Sequence, residues 1–260
     1  MTIRNAVLDQ LKADELSLGV IVRYARTVDV AKAMRACGMD WLFLDLEHSA
    51  MTLDTAAQIS VAALSAGIAP FVRVPAMQLG MACRALDGGA LGVLLPHVDT
   101  AEEAQAIARA LRYPPFGQRS TSSTLPHFDF APPPLAEAIR QIDAATLVAV
   151  ILETPKAIAN VDAIAAVAGI DVLMIGGSDL TLEMGLHDRF DDPRVVSAFE
   201  RVVAAGRRHG KAVGMGGVGD DAMVERFCKM GVRMIAAGSD MSFLMSAATR
   251  RTAALRERLR

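Results

Sequence analysis

Trp41-Leu42-Phe43-Leu44-Asp45-Leu46-Glu47-His48 is an apolar run of strand length that ends abruptly in two acids and a histidine. In a parallel α/β protein, the carboxyl end of a strand is where loops gather and ligands bind. Helical spacing flanks the run on both sides. Val28 to Ala36 precedes it, with Gly38 as the stop, and Leu53 to Ala66 follows, closed by Gly67. The same rhythm continues along the chain. Strands are predicted at Leu18–Val22, Trp41–Asp45, Ile68–Arg73, Gly92–Pro96, Leu147–Leu152, Val172–Ile175, Ala212–Gly214 and Met234–Ala237. Leu147–Leu152 is nearly all apolar, as a strand covered on both faces must be.

Helices are predicted at Val7–Leu16, at Pro75 to about Leu86, and at Ala101–Leu111 behind a Thr100 cap. Others follow at Leu135–Ile142, Pro155–Ala168, Pro193–Arg208 and Asp221–Lys229, with a terminal helix from Ser242. Eight strands, each followed by a helix, give a single (β/α)8 TIM barrel over residues 1–260, because closure leaves no exposed sheet edge. An open doubly wound sheet is the alternative. One stretch breaks the rhythm: Tyr113 to Pro134 carries Pro114-Pro115, a Ser/Thr cluster and Pro132-Pro133-Pro134. Loops of that length in a compact domain are functional or disordered.

The composition narrows the partners. The chain has 260 residues, 52% of them hydrophobic, and a formal net charge of −2 without a long basic run. Nucleic-acid binding is therefore disfavoured, since it needs a basic patch to release counterions. No apolar stretch approaches the roughly 20 residues that span a bilayer, and the start reads as an amphipathic segment rather than a secretory signal. Cys37, Cys83 and Cys228 are odd in number and far apart. They read as small buried apolar residues of a cytoplasmic protein, not as a disulfide framework or metal cluster.

In a barrel, residues just past the strand carboxyl ends share one rim. They are Asp45, Glu47 and His48, then Arg73, Pro96-His97, Glu153, and Gly176-Gly177-Ser178-Asp179. Glu153 and Asp179 follow neighbouring strands. Two carboxylates without clustered cysteines suit a hard, oxygen-seeking cation such as magnesium or manganese, which acts as a Lewis acid. Read plainly, they are a strand-exit acid and a helix cap. Arg73 suits negative charge developing on an oxygen, or else a surface ion pair. His48, next to acids that could orient its ring, is the natural general base. His97 has no acid neighbour before Asp99 and reads as structural; the role of His127 is open. Gly214-Met215-Gly216-Gly217-Val218-Gly219 matches the dinucleotide pattern GxGxxG. It falls in the seventh of eight units, however, and a glycine-rich loop on a barrel rim explains it equally well.

An ordered set of segments carries a resemblance: Asp45-Leu46-Glu47-His48, Phe71-Val72-Arg73-Val74-Pro75, Arg112-Tyr113-Pro114-Pro115, Leu152-Glu153-Thr154, Ile175-Gly176-Gly177-Ser178-Asp179-Leu180 and Ala237-Gly238-Ser239-Asp240. Together they resemble the HpcH/HpaI aldolases, metal-dependent class II pyruvate aldolases of the phosphoenolpyruvate/pyruvate barrel superfamily, over nearly the whole chain. The resemblance implies a magnesium-, manganese- or cobalt-type ion on Glu153 and Asp179, with His48 as base through bound water. It implies that Arg73 stabilises the oxyanion and that Asp87 raises the basicity of the histidine. Asp87 ends a helix, so it should lie on the face opposite the rim and could reach a site only across a subunit interface. The resemblance implies hexamers built from dimers. Asp45 is the local alternative for orienting the imidazole.

Substrate contacts are implied at Gly176, Gly177, Ser178 and Asp179, and at the position of Ile151, where the family usually has Gln. A buried apolar side chain cannot donate that hydrogen bond. The usual Gly-Pro is here Gly176-Gly177, and the usual DGEH is Asp45-Leu46-Glu47-His48. The implied reaction is cleavage or formation of a 4-hydroxy-2-oxo acid, through pyruvate and an aldehyde whose pocket should involve the Tyr113–Pro134 loop. Two rivals stay open: another metal–enolate reaction such as oxaloacetate decarboxylation, and a non-catalytic keto-acid-binding barrel.

Overall fold

The computed structural model describes residues 3–122 and 124–259. Eight parallel strands close in sequence order into a barrel. They are β1 (Ser17–Val22), β2 (Trp41–Asp45), β3 (Ala69–Arg73), β4 (Gly92–Leu95), β5 (Leu147–Leu152), β6 (Val172–Gly176), β7 (Ala212–Gly216) and β8 (Met234–Ser239). Closure runs through β1 and β8, with Ser17 opposite Met234. The doubly wound alternative is excluded. The glycine pattern is not a dinucleotide fingerprint, because Gly214 and Gly216 lie within β7 of the closed barrel.

Side chains alternate between the barrel interior and the helix-facing side. Trp41, Phe43, Phe71, Leu94, Ala149, Ile151, Met174 and Met234 fill the interior. Leu42, Leu44, Val72, Val93, Val150 and Leu173 join the layer under the helices. Trp41 lies flat across β1, where a Cβ on Gly19 would sit 2.2 Å from its ring. Only glycine fits there. The bottom of the barrel is plugged by α1 (Ala6–Lys12), whose preceding Asn5 donates from Nδ2 to the carbonyls of Leu91 and Ala145.

The outer helices are α2 (Asp29–Ala36), α3 (Leu53–Ala66), α4 (Leu79–Asp87), α5 (Ala101–Leu111), α6 (Leu135–Ala145), α7 (Pro155–Ala159), α8 (Val161–Ala165), α9 (Gly177–Glu183), α10 (Pro193–His209), α11 (Asp221–Met230) and α12 (Asp240–Arg258). Thr100 and Glu103 form the capping box of α5. Several elements differ from the sequence reading; α1, expected to reach Leu16, ends at Lys12. Met77, at φ 54°, turns the chain left-handed after Pro75 and delays α4 to Leu79. The helix expected over 155–168 breaks at Asn160, whose side chain reaches out to the Asp99 carbonyl at 2.8 Å. The short α9 was not expected.

The long segment after α5 lies at the barrel's amino-terminal end, not on the rim, since it leads from the end of α5 into α6, which runs on to the start of β5. There His127 bonds the Ala90 carbonyl at 3.0 Å, and Tyr113, Leu125 and Phe128 pack on α6. The expected loop-lined acceptor pocket is therefore not built by this loop within one chain. The burial expected of the cysteines fails at Cys37, which is exposed, and none of the three forms a disulfide among the described residues. Helix α12 has no buried residue and exposes Phe243, Leu244 and Met245. No helix among the described residues is long and apolar enough to cross a membrane.

Candidate active site

The alternation that fills the barrel also builds the site. Continuing each inward series one step past the apolar interior gives Arg23 after Gly19 and Ile21, Asp45 after Trp41 and Phe43, and Arg73 after Phe71. On the other side it gives Glu153 after Ile151 and Gly176 after Met174. These residues form a polar layer at the carboxyl end, above the apolar floor of Ile21, Phe43, Ile151 and Met174. One cleft at the barrel mouth is lined by members of both layers together with His48, Gly177, Ser178 and Asp179, the concave, largely apolar setting in which small-molecule sites occur.

Asp45 organises the β2–β3 side. Its carboxylate is fully buried and accepts five hydrogen bonds. Arg73 donates from Nε at 2.9 Å and Nη2 at 2.6 Å, and Arg23 from Nε at 2.7 Å. The backbone N–H groups of Glu47 and His48 complete the set at 3.0 and 3.1 Å. Burial alone would push this carboxyl up, but the Arg73 and Arg23 bonds outweigh it and bring it down to about 2. Asp45 thus fixes the turn that carries His48 and does not touch the imidazole. The acid nearest the ring is Glu47, whose Oε2 lies 3.6 Å from His48 Nε2 and 3.3 Å from Arg73 Nη1. That Oε2 is buried and makes no hydrogen bond among the described residues. The Arg73 guanidinium also stacks on Phe43, 5.0 Å from the ring centroid.

On the β5–β6 side, Glu153 is buried beside the more open Asp179. Burial raises the Glu153 carboxyl to about 7; the His97 backbone N–H, at 2.7 Å from Oε1, offsets part of this, and the Asp179 and Glu47 carboxylates add to it. A Cβ at Gly176 would come within 2.6 Å of Glu153 Oε2, so glycine keeps that oxygen open. His97, read as structural from sequence, is part of the site: held at φ 56°, it sets Nδ1 2.9 Å from Glu153 Oε1 and Nε2 3.4 Å from Glu47 Oε1.

Asp87 ends α4 at the opposite end of the barrel and pairs with Arg119 at 2.7 Å. One chain does not bring it to His48. Sequence reasoning also passed over Arg23, although the inward series Gly19, Ile21, Arg23 identifies it.

A closed barrel gathers a histidine, an arginine and two carboxylates around one carboxyl-end cleft, the place where (β/α)8 enzymes build their sites. Residues 24–247 match the HpcH/HpaI aldolase/citrate lyase family. The 4-hydroxy-4-methyl-2-oxoglutarate aldolase of Hapsidospora irregularis is 36% identical over 88% of this chain and 86% of its own. The hydroxypyruvate/pyruvate aldolase of Pseudomonas aeruginosa is 33% identical over 93% and 89%. The crystal structure of the HpcH/HpaI aldolase from Desulfitobacterium hafniense superposes with a TM-score of 0.90 at 26% identity, covering 96% of both chains. The chain belongs to the HpcH/HpaI aldolase/citrate lyase family and is a carbon–carbon lyase. This family generally depends on a divalent metal ion. The residues present fit such an ion: a buried carboxylate oxygen left open by a glycine, with a second carboxylate in the same cleft, is an all-oxygen donor set whose mutual repulsion a cation relieves.

Proposed function

We propose that the protein is a divalent-metal-dependent pyruvate aldolase that cleaves or forms 4-hydroxy-2-oxo acids in the cytoplasm. The observation that carries this reading is the division of one cleft into a carboxylate side, Glu153 and Asp179, and a base–arginine side, His48 and Arg73. Glu153 and Asp179 would hold magnesium, manganese or cobalt, which supplies Lewis-acid polarisation of the 2-oxo carbonyl when bound. The bare backbone at Gly176 and Gly177, with Ser178, lets the oxo acid approach closely.

In cleavage, His48 takes the proton of the 4-hydroxyl, directly or through water. The electron pair of that O–H bond forms the new carbonyl, the C3–C4 bond breaks, and its pair becomes the enolate of pyruvate. Arg73 stabilises the negative charge on oxygen. Protonation at C3 then releases pyruvate. Asp45 is a positioning residue, because it holds Arg73 and the backbone of the His48 turn.

We also propose a homo-oligomer of the hexameric kind. Its support is α12, whose exposed Phe243, Leu244 and Met245 suit a second copy of this chain. Asp87 could then act only from a neighbouring copy. Exchange of pyruvate methyl protons into heavy water and retro-aldol cleavage test the chemistry. Both are expected to vanish in His48→Ala and Arg73→Ala, and to be lost reversibly on chelation. Undiminished cleavage by metal-stripped protein refutes the reading.

A further inference from the structure

We propose that Arg23 is the docking group for a carboxylate on the acceptor, so that the favoured acceptor is an oxo acid rather than a neutral aldehyde. This rests on the aldolase reading and adds the chemical class of the second substrate.

Four observations carry it. Arg23 continues the inward series of β1 and lines the same cleft as Glu153 and Asp179. In the closed ring β1 stands four strands from β5, so Arg23 faces the carboxylate side from across the barrel mouth. A 2-oxo acid seated between Glu153 and Gly176 would therefore direct its reactive carbon away from those strands, towards β1.

Arg23 also keeps donors free beyond its ion pair with Asp45. Only its Nε is engaged, on Asp45, and its terminal nitrogens make no hydrogen bond among the described residues. The charge of Asp45 is already matched by the two-point contact from Arg73, and Glu47 faces Arg73, His48 and His97. With 32% of its side chain exposed, Arg23 presents a guanidinium fork to the cleft mouth, a shape that pairs with carboxylate.

Its backbone is fixed as well. Oδ2 of Asp240 accepts the N–H groups of Arg23, Tyr24 and Ala25 at 3.2, 2.8 and 2.8 Å. The side chain thus springs from a rigid base and is steered by Asp45, which lowers the cost of ordering it on a ligand. Finally, the floor beneath it, Ile21, Phe43, Ile151 and Met174, offers no polar side chain. Arg23 and Arg73 are the cationic groups left to meet anionic substrate, and Arg73 is buried.

The test compares glyoxylate with glycolaldehyde as acceptors for pyruvate, using metal-loaded protein and measuring kcat/KM for each. Wild type should prefer glyoxylate by at least tenfold. In Arg23→Gln, which keeps a donor for Asp45 but loses the charge, the glyoxylate/glycolaldehyde ratio should fall about 10- to 100-fold. Arg23→Lys, which keeps the charge without the fork, should retain more of the ratio than Arg23→Gln. Turnover of glycolaldehyde in each variant reports that it is folded. A wild-type preference for glycolaldehyde, or a ratio unmoved by either substitution, overturns the assignment. Pyruvate proton exchange by the wild type separates the two levels. Its absence refutes the aldolase reading itself, whereas exchange with an unmoved ratio refutes only the role of Arg23.

Discussion

Asp45→Asn isolates one charge from an otherwise preserved network. Asparagine retains an oxygen for the N–H groups of Glu47 and His48 but removes the negative charge that holds Arg73 and Arg23. The Asp45 carboxyl falls from 3.8 to about 2 on folding, which corresponds to about 2.5 kcal/mol of stability at neutral pH. Arg73, itself buried, loses its two-point partner and keeps only Glu47, and breaking a buried pair from one side costs up to roughly 3–5 kcal/mol. The expected loss at pH 7 is therefore between about 2.5 and 5 kcal/mol. Because the folded-state value is the lower one, this stabilisation is fully present above the unfolded value of 3.8 and is lost as pH falls through about 2. Roughly 1 kcal/mol of it should be gone by pH 3. Urea denaturation of wild type and variant at fixed protein concentration, at pH 6, 4 and 3, measures the difference directly. The gap should narrow towards acid. A gap that stays constant over this range, or a variant as stable as wild type at pH 6, refutes the account.

Two further outcomes follow from other parts of the structure. Ile151 and Glu153 Oε2 both crowd the space above Gly176, so Ile151→Gln places an amide where the oxo acid is proposed to sit. KM for pyruvate in proton exchange should fall roughly 3- to 10-fold, and an unchanged or higher KM counts against that placement. Arg112 ties the end of α5 to the starts of β5 and β6 through the carbonyls of Asp143, Thr146 and Gly169 and the carboxylate of Asp171. Arg112→Met should lower stability by about 3–5 kcal/mol while manganese binding, followed by calorimetry, keeps its affinity; a weakened affinity would tie this far end to the site.

The barrel was legible in sequence because its signal is one-dimensional. Each strand is an apolar run of fixed length, and each strand exit announces itself by a polar residue, as at Asp45, Arg73 and Glu153. The pairings within the site were not legible, because they depend on which side chains the closed ring points inward. Asp45 sits close to His48 in sequence and invited the reading that it orients the ring, yet its oxygens face Arg73 and Arg23 across neighbouring strands. His97 has no acid neighbour in sequence before Asp99 and acquires two in space, Glu47 and Glu153, from strands on either side. The 113–134 loop was misplaced for a different reason. Composition marks a long loop but not which end of the barrel it closes; its position after α5 and before the α6 that feeds β5 does.

The three N–H bonds received by Asp240 join residues 217, 216 and 215 positions apart. On a ribosome, Arg23, Tyr24 and Ala25 are made long before the carboxylate that fixes them. At roughly 5–20 residues per second the wait is on the order of 10–40 s. Throughout that interval β1 also lacks β8, so the ring is open at the same seam. The arginine set by the first strand is thus held by the acid that follows the last, and a nascent chain stalled short of residue 240 has its cleft residues in hand without the geometry that aims one of them. The aiming of Arg23 therefore waits on the synthesis of residue 240.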